Sequence, residues 1–226
     1  MRSYGQYCAL ARALDQVGER WTLLIIRELF SRESRYADLR EALPGIATNL
    51  LADRLRQLQA DGIVEAYDAP RPVRATVYRL TARGRELAPA LRALVAWGAP
   101  LVAEGQGDDA FRTRWMALGL PTYFDNVDVA DLGPLTVLVN TGDEPATIRI
   151  TGNAVVMDSG DTGEKNDIIL DGDPESVFAF LTGTATDPIS GVTVDGADED
   201  VQRLRALANR CTIAATTSQF SPTQRQ

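Results

Sequence analysis

Residues 34–84, SRYADLREALPGIATNLLADRLRQLQADGIVEAYDAPRPVRATVYRLTARG, predict the fold of the first half of the chain. Apolar residues recur at helical spacing in YADLREAL, and the Pro44–Gly45 pair ends that helix because proline cannot continue it. A second helix is predicted from about Thr48, followed by two short extended runs, IVEAY and ATVYRL. The order helix, tight turn, helix and hairpin predicts a winged helix-turn-helix domain.

The predicted second helix has two unlike faces. Leu51, Leu55 and Leu58 form one apolar stripe, which leaves a polar face on the opposite side. Polar side chains with suitable donors and acceptors read base edges in the major groove, and the N-terminal end of such a helix enters the groove. The residues predicted to read bases are Thr48, Asn49, Asp53 and Arg56.

Arginines near this helix are candidates for phosphate contacts. Arg54 lies on the flank of the apolar stripe, where it suits a phosphate or a salt bridge better than a base. Arg71 and Arg74 lie at the tip of the hairpin. An ordinary solvated hairpin is the alternative for that segment, but its place directly after a helix-turn-helix favours a DNA-contacting wing.

Residues 82–103 predict a long amphipathic helix. Its apolar stripe, with little of its own domain left to cover it, favours a dimer interface over packing within the domain. Pro89 is expected to kink this helix. The stripe consists of Leu87, Leu91, Leu94, Val95 and Trp97.

The run from Cys8 to Trp97 resembles the HxlR-type winged helix-turn-helix transcriptional regulators. The matching pieces are CALARALDQVGERWTLLIIREL, RYADLREALPGI, LADRLRQLQADGIV, YRLTARGREL and LVAWG. The resemblance implies a homodimer that binds a near-palindromic double-stranded DNA operator through a recognition helix at 47–60. It also implies that Arg35 lies at the edge of the DNA-facing surface.

The same resemblance places Cys8 where such regulators often carry a reactive cysteine. Arg12, one helical turn further on, would favour the thiolate. Oxidation of Cys8 is therefore an alternative means of controlling the dimer. The competing interpretation is an inert cysteine, since free cysteines are among the most buried residues.

Composition narrows the classes of function. The chain has 226 residues, two cysteines and no histidine, so His-based catalysis and the usual zinc sites are not expected. We therefore predict a protein that is not an enzyme and has no cofactor or metal. No apolar run long enough for a membrane span and no signal peptide are evident, which predicts a cytoplasmic protein without a membrane partner.

Charge divides the chain into two unlike halves. Residues 1–107 hold 15 basic and 12 acidic residues, a net charge of +3, whereas residues 108–226 hold 8 and 19, a net charge of −11. An acidic second half repels DNA and is not a second nucleic-acid module. The predicted organisation is a DNA-binding and dimerisation domain at 1–104, a second domain at 108–213 and a disordered tail at 214–226.

The second domain is predicted to be α+β. An amphipathic helix is expected at DAFRTRWMALGL, followed by strands at 135–140, 146–151, 153–158 and 165–170 in an antiparallel meander. Two later segments, DGDPESVFAFLTG and VDGADEDVQRLRAL, complete an order that resembles the sterol-carrier-protein-like α+β fold over about 132–207. The resemblance implies a sheet covered by helices that encloses an apolar tunnel.

The function predicted from these parts is a transcriptional regulator gated by a small apolar effector in the second domain. The alternative to a regulator is a lipid-carrier or interaction protein with vestigial DNA binding, for which a flat salt dependence of DNA affinity is expected. The aromatic residues expected to line the pocket, unless they are plain core, are Phe111, Trp115, Phe124, Phe178 and Phe180.

Overall fold

The computed structural model describes residues 3–70, 75–102, 107–125, 127–142, 144–184 and 191–211. The chain divides into two compact units, Met1–Leu91 and Arg92–Gln226. The elements of the first unit and of the helix that continues from it are α1 Ala9–Val17, α2 Thr22–Ser31, β1 Ser34–Arg35, α3 Tyr36–Ala42, α4 Thr48–Ala60, β2 Val64–Asp68, β3 Thr76–Leu80, α5 Ala82–Arg85 and α6 Ala88–Val102.

The helix-turn-helix is formed as the sequence predicts. Helix α4 begins at Thr48, and its leucine stripe at positions 51, 55 and 58 is fully buried. Gly45 has a φ of +86° in the turn between α3 and α4, a conformation that glycine adopts without a Cβ penalty. The turn therefore depends on this glycine, with Pro44 preventing α3 from continuing.

The wing is a three-stranded sheet and not only a hairpin. Strands β2 and β3 pair in antiparallel register from Val64–Leu80 to Asp68–Thr76. The two-residue strand β1 pairs with the other edge of β3, so the strand order is β1-β3-β2. Two residues carry too little alternation to predict a strand from sequence.

The prediction of one continuous helix at 82–103 is wrong, because this segment forms two helices. The chain forms α5, ends it at Arg85, and begins α6 at Ala88, so Pro89 follows a break and does not kink a continuous helix. The reason is that the proline ring would clash with the carbonyl of Arg85 four residues earlier, while proline is tolerated in the first turn of a new helix.

The second unit contains a five-stranded mixed sheet in the order β6-β5-β4-β7-β8. Its elements are α7 Met116–Gly119, β4 Leu135–Asn140, β5 Ala146–Thr151, β6 Ala154–Ser159, β7 Ile168–Gly172, α8 Pro174–Leu181, β8 Val192–Gly196 and α9 Asp198–Asn209, with short 3₁₀ helices at Thr113–Trp115, Leu120–Phe124 and Ala130–Leu132.

The prediction of a purely antiparallel sheet is wrong. Strands β4, β5 and β6 form the expected meander, but β7 pairs with β4 in parallel. Because β5 already occupies one edge of β4, the chain crosses from β6 to the other edge of β4 before β7 begins. Alternation along each strand predicts buried faces but does not specify this choice of neighbour.

The prediction of one amphipathic α-helix at DAFRTRWMALGL is also wrong. A 3₁₀ turn at Thr113–Trp115, the four-residue α7 and a second 3₁₀ helix at Leu120–Phe124 replace it. Thr113 and Arg114 are buried. Arg114 donates to Glu144 at 2.9 Å, so a position that helical spacing assigns to solvent is committed to the protein interior.

Helix α8 begins as predicted. The Asp173 side chain accepts a hydrogen bond from the Ser176 backbone N–H at 2.9 Å, and Pro174 occupies the first helical position. The core of this unit lies between the sheet and its helices, where Val139, Ile168 and Leu204 are fully buried.

The division between the units lies inside the segment that the sequence assigned to the first domain. Val95 and Ala99 of α6 pack against the core of the second unit, which accounts for the boundary at Leu91–Arg92 in place of residue 104. Among the described residues, no helix has the length and apolar character needed to cross a lipid bilayer. The predicted tail at 214–226 lies outside the described residues.

Candidate nucleic-acid interface and apolar cavity

The polar face of α4 is exposed along its length. Thr48 and Asn49 form the first turn, and Asp53 and Arg56 follow one and two turns later. The side-chain amide oxygen of Asn49, Oδ1, accepts a hydrogen bond from the Leu50 backbone N–H at 3.0 Å, which holds this side chain at the helix N-terminus. All four residues predicted to read bases therefore lie on the solvent side of one helix.

Asp53 and Arg56 bind each other through an ion pair between Oδ1 and Nη2. Both side chains are more than half exposed, so the pair is weak and opens at low cost when a stronger partner arrives. Arginine in general donates to guanine and aspartate accepts from cytosine, which are the base contacts that the sequence predicts for this pair.

Tyr36 positions the N-terminus of α4, a role that sequence reasoning missed. Its hydroxyl donates to the Thr48 backbone carbonyl at 2.6 Å, which joins α3 to the first turn of the second helix. The helical spacing of Tyr36 with Leu39 predicts only an apolar contact. The phenolic hydroxyl was the signal that this half-buried residue also needs a hydrogen-bond partner.

The predicted phosphate-binding arginines fall into three groups. Arg35 is exposed at the start of α3, and its backbone N–H donates to the Asp38 carboxylate at 2.9 Å. Arg54 is half-buried and donates to Glu19 at 2.8 Å. Of the two predicted roles, phosphate contact or salt bridge, the structure without DNA therefore contains the salt bridge. Arg71 and Arg74 lie outside the described residues.

The described part of the wing carries a network of opposite charges. Arg79 on β3 donates to Glu65 at 2.7 Å and stacks over the Tyr67 ring, with its guanidinium carbon 4.9 Å from the ring centroid. The hydrogen bond to Glu65 raises the pKa of Arg79, and the bond that Tyr67 donates to Glu33 raises the pKa of Tyr67. These contacts stiffen the hairpin that presents the wing tip.

Cys8 is exposed, at the N-cap of α1. The Arg12 guanidinium donates to the Ser3 hydroxyl at 3.2 Å and lies 3.5 Å from the Asp15 carboxylate. Cys211, in contrast, is buried. Only the first of the two cysteines is therefore open to reagents from solvent.

Large apolar side chains are exposed on two helices. Leu10 and Leu14 on α1 face solvent, and so do Leu94 and Trp97 on α6, where Trp97 is 77% exposed. Leu91, in the same predicted stripe, is buried. These four side chains are the exposed apolar residues of the two helices that the proposal of a dimer uses below.

The second unit contains an apolar cavity of about 500 Å³. Three of the five predicted pocket aromatics line it, namely Phe111, Trp115 and Phe178. The other two, Phe124 and Phe180, are buried in the core. Lining residues that the sequence did not single out for the pocket include Val95, Ala99, Leu101, Met116 and Tyr123.

Tyr123 faces this cavity from a buried position, and its ring packs edge-on against Phe178 with centroids 6.4 Å apart. Burial raises the pKa of Tyr123 to about 12, so the phenol remains protonated at neutral pH. Tyr123 is thus one of the few residues with a polar group in a lining that is mainly apolar.

Comparison with known proteins matches the N-terminal part of the chain. A family model described as an HxlR-like helix-turn-helix matches residues 16–106. An uncharacterized HTH-type transcriptional regulator of Synechocystis is 40% identical over 90 residues, which are 40% of this chain and 67% of that protein. The uncharacterized regulator YvaP of Bacillus subtilis is 34% identical over 87 residues, which are 38% of this chain and 80% of that protein.

Among solved structures, the reduced form of the transcriptional regulator YodB from Bacillus subtilis is 30% identical, with a TM-score of 0.39. The match covers 44% of this chain and 99% of that one. The fold of the first unit, together with the family model and the two curated relatives, defines a winged helix-turn-helix transcriptional regulator. In its N-terminal region the chain belongs to the HxlR-like family.

Proposed function

We propose that this regulator binds a double-stranded DNA operator as a homodimer and that a small apolar effector in the cavity of the second unit controls the binding. The observation that carries the DNA-binding mode is the exposed polar face of α4, with Thr48 and Asn49 at the end that enters the groove. Arg35, exposed beside it, is assigned to a phosphate, and Arg71 and Arg74 remain assigned to phosphates from the sequence.

The homodimer is supported by the exposed apolar side chains of α1 and α6. A dimer with two-fold symmetry presents its recognition helices to half-sites about 34 Å apart, or a multiple of that distance, which matches a near-palindromic operator. The partner that these surfaces fit is therefore a second copy of this chain.

The effector is supported by the cavity. Its volume of about 500 Å³ is within the range of small-molecule sites, and such sites are mainly apolar with a few polar groups that orient the ligand. When the strands of the second unit are numbered from 1 at β4 to 5 at β8, their order in the sheet is 3-2-1-4-5, and helices pack on this sheet. The sterol-carrier-like resemblance of the sequence, on which no comparison bears, implies an apolar ligand.

Asn49→Ala tests the base-reading face. An operator selected by the wild-type protein from a random duplex library is compared with a scrambled duplex by fluorescence anisotropy. We expect the operator affinity to fall about 5-fold to 150-fold, corresponding to about 1–3 kcal/mol for a base contact, with the scrambled duplex bound as before. Gln59→Ala, on an exposed residue at the other end of α4, is the control. Equal losses on both duplexes would contradict the assignment.

A redox switch at Cys8 is the second candidate means of control, and the exposure of this thiol favours it. A reactive cysteine needs access to solvent and a thiolate-favouring neighbour. Arg12 is the nearest candidate for that neighbour in sequence, but it already contacts Ser3 and Asp15. Ligand control therefore remains the leading proposal.

A further inference from the structure

The charged side chains that line the cavity are all acidic. Asp109 and Glu175 line it and are exposed, so they lie at its rim. Among the described residues that line the cavity, none is Arg or Lys. A ligand that enters therefore meets carboxylates first.

The cavity wall behind the rim is aromatic. Phe111 and Trp115 pack edge-to-face with centroids 6.5 Å apart, and Tyr123 and Phe178 form a second such pair. Aromatic faces carry partial negative charge and attract cations within about 6 Å of the ring centroid. The aromatic residues of the wall thus allow the positive ligand charge that the rim carboxylates favour.

The N-terminus of α8 at the rim would favour an anion, since free backbone N–H groups attract negative charge. Here the Asp173 carboxylate already accepts from the Ser176 N–H at 2.9 Å. Glu175 adds a second carboxylate in the first turn. Two negative side chains outweigh the half-charge of a helix end.

The net charge of the second unit also favours a positively charged ligand. Residues 92–226 hold 9 basic and 20 acidic residues, a net charge of −11. A surface of one sign raises the local concentration of ions of the opposite sign.

We propose that the cavity binds a lipophilic monocation, a molecule with aromatic or aliphatic bulk and one positive charge, in preference to an anion of the same size and shape. This inference rests on the proposed role of the cavity as an effector site and names the class of effector. A fatty acid or another amphipathic anion is accordingly excluded as the preferred ligand.

Tetraphenylphosphonium and tetraphenylborate test the proposal, because they share size and shape and differ in charge. Titration calorimetry on the full-length protein is expected to show the cation bound at least about tenfold more tightly, a difference of about 1.4 kcal/mol. In the Asp109→Asn/Glu175→Gln double variant we expect this preference to fall about fivefold, as the negative charge of both rim side chains is removed. Asp195→Asn/Glu199→Gln changes the net charge equally away from the cavity and is expected to keep the preference.

Equal affinities, tighter binding of the borate, or a preference unchanged in the rim variant would overturn the proposal. Neutral triphenylphosphine oxide separates this failure from failure of the effector site. If it binds while the cation gains nothing over the anion, the cavity stands as a ligand site and the charge preference is wrong. If none of the three probes binds, the effector site and its charge preference are both wrong, whereas the operator assay with Asn49→Ala still tests DNA binding by itself.

Discussion

Arg54 on the recognition helix donates to the Glu19 carboxylate in the loop between α1 and α2, with Nη2 and Oε2 2.8 Å apart. The same guanidinium donates through Nε to the Arg20 backbone carbonyl at 3.3 Å. The loop that follows α1 is thus bonded to α4, the helix that we propose faces DNA. Arg54 links α4 to this loop, and we expect it to keep this contact when DNA binds.

This contact predicts different roles for two arginines in DNA binding. In Arg35→Ala the slope of log affinity against log salt concentration is expected to decrease by about 0.9, because one phosphate contact is lost. In Arg54→Ala the slope is expected to stay unchanged. Fluorescence anisotropy titrations with one duplex across a series of salt concentrations measure both slopes.

The wild-type slope in that series also separates the regulator from a carrier protein with vestigial DNA binding. A regulator that neutralises several phosphates shows a steep slope, whereas a flat one favours the carrier. A smaller slope in Arg54→Ala would show that this side chain leaves Glu19 to contact DNA.

Trp97→Glu is expected to weaken the dimer. A tryptophan exposed in the isolated chain and buried in an interface commonly contributes about 2 kcal/mol or more, so the dimer dissociation constant should rise at least about 30-fold. Sedimentation equilibrium measures this change. The matched control is Val156→Glu on β6, which also replaces an exposed apolar residue and should leave the dimer intact.

The two cysteines are expected to react differently with N-ethylmaleimide. Native protein should gain one adduct, on the exposed Cys8, and a second only in urea, because Cys211 is 5% exposed in the core. Intact-mass spectrometry counts the adducts, and Cys8→Ser should show none before unfolding. If the adduct at Cys8 leaves operator affinity unchanged, modification at this position does not control binding and the redox alternative fails.

Asp173 is expected to make the second unit less stable in acid. Its hydrogen bonds with Ser176 lower the pKa of Asp173 from its ordinary value of 3.8. A lowered folded-state pKa stabilises the fold above the unfolded-state value, and this stabilisation is lost as the pH falls through the folded-state value. Asp173→Ala should cost about 1 kcal/mol at pH 7, with a smaller cost at pH 3. Urea unfolding at both pH values measures it.

Asp195→Ala is the control for that experiment, since it removes an exposed carboxylate from the same unit without removing a helix cap. It should change the unfolding free energy by less than about 0.5 kcal/mol at either pH. An equal cost of Asp173→Ala at both pH values would mean that the carboxylate does not cap α8 in solution.

Local patterns were enough to predict much of this fold. The leucine stripe at 51, 55 and 58 and the Pro44–Gly45 turn define α3 and α4, because a helix that buries one face must repeat apolar residues every three or four positions. Strands β4 and β5 begin and end at the predicted residues, because a strand that buries one face must place apolar residues at every second position. The polar face of α4 follows from the same periodicity.

Contacts between distant residues decided the rest, because no local pattern records which partner a residue meets. Arg54 suits a phosphate or a salt bridge equally well in sequence, and only Glu19, 35 positions earlier, selects the salt bridge. Strand β7 has the sequence pattern of a fourth meander strand. The chain instead crosses over to the free edge of β4, where β7 pairs in parallel. Phe111 and Phe124 are both apolar aromatics, and packing alone places one on the cavity wall and the other in the core.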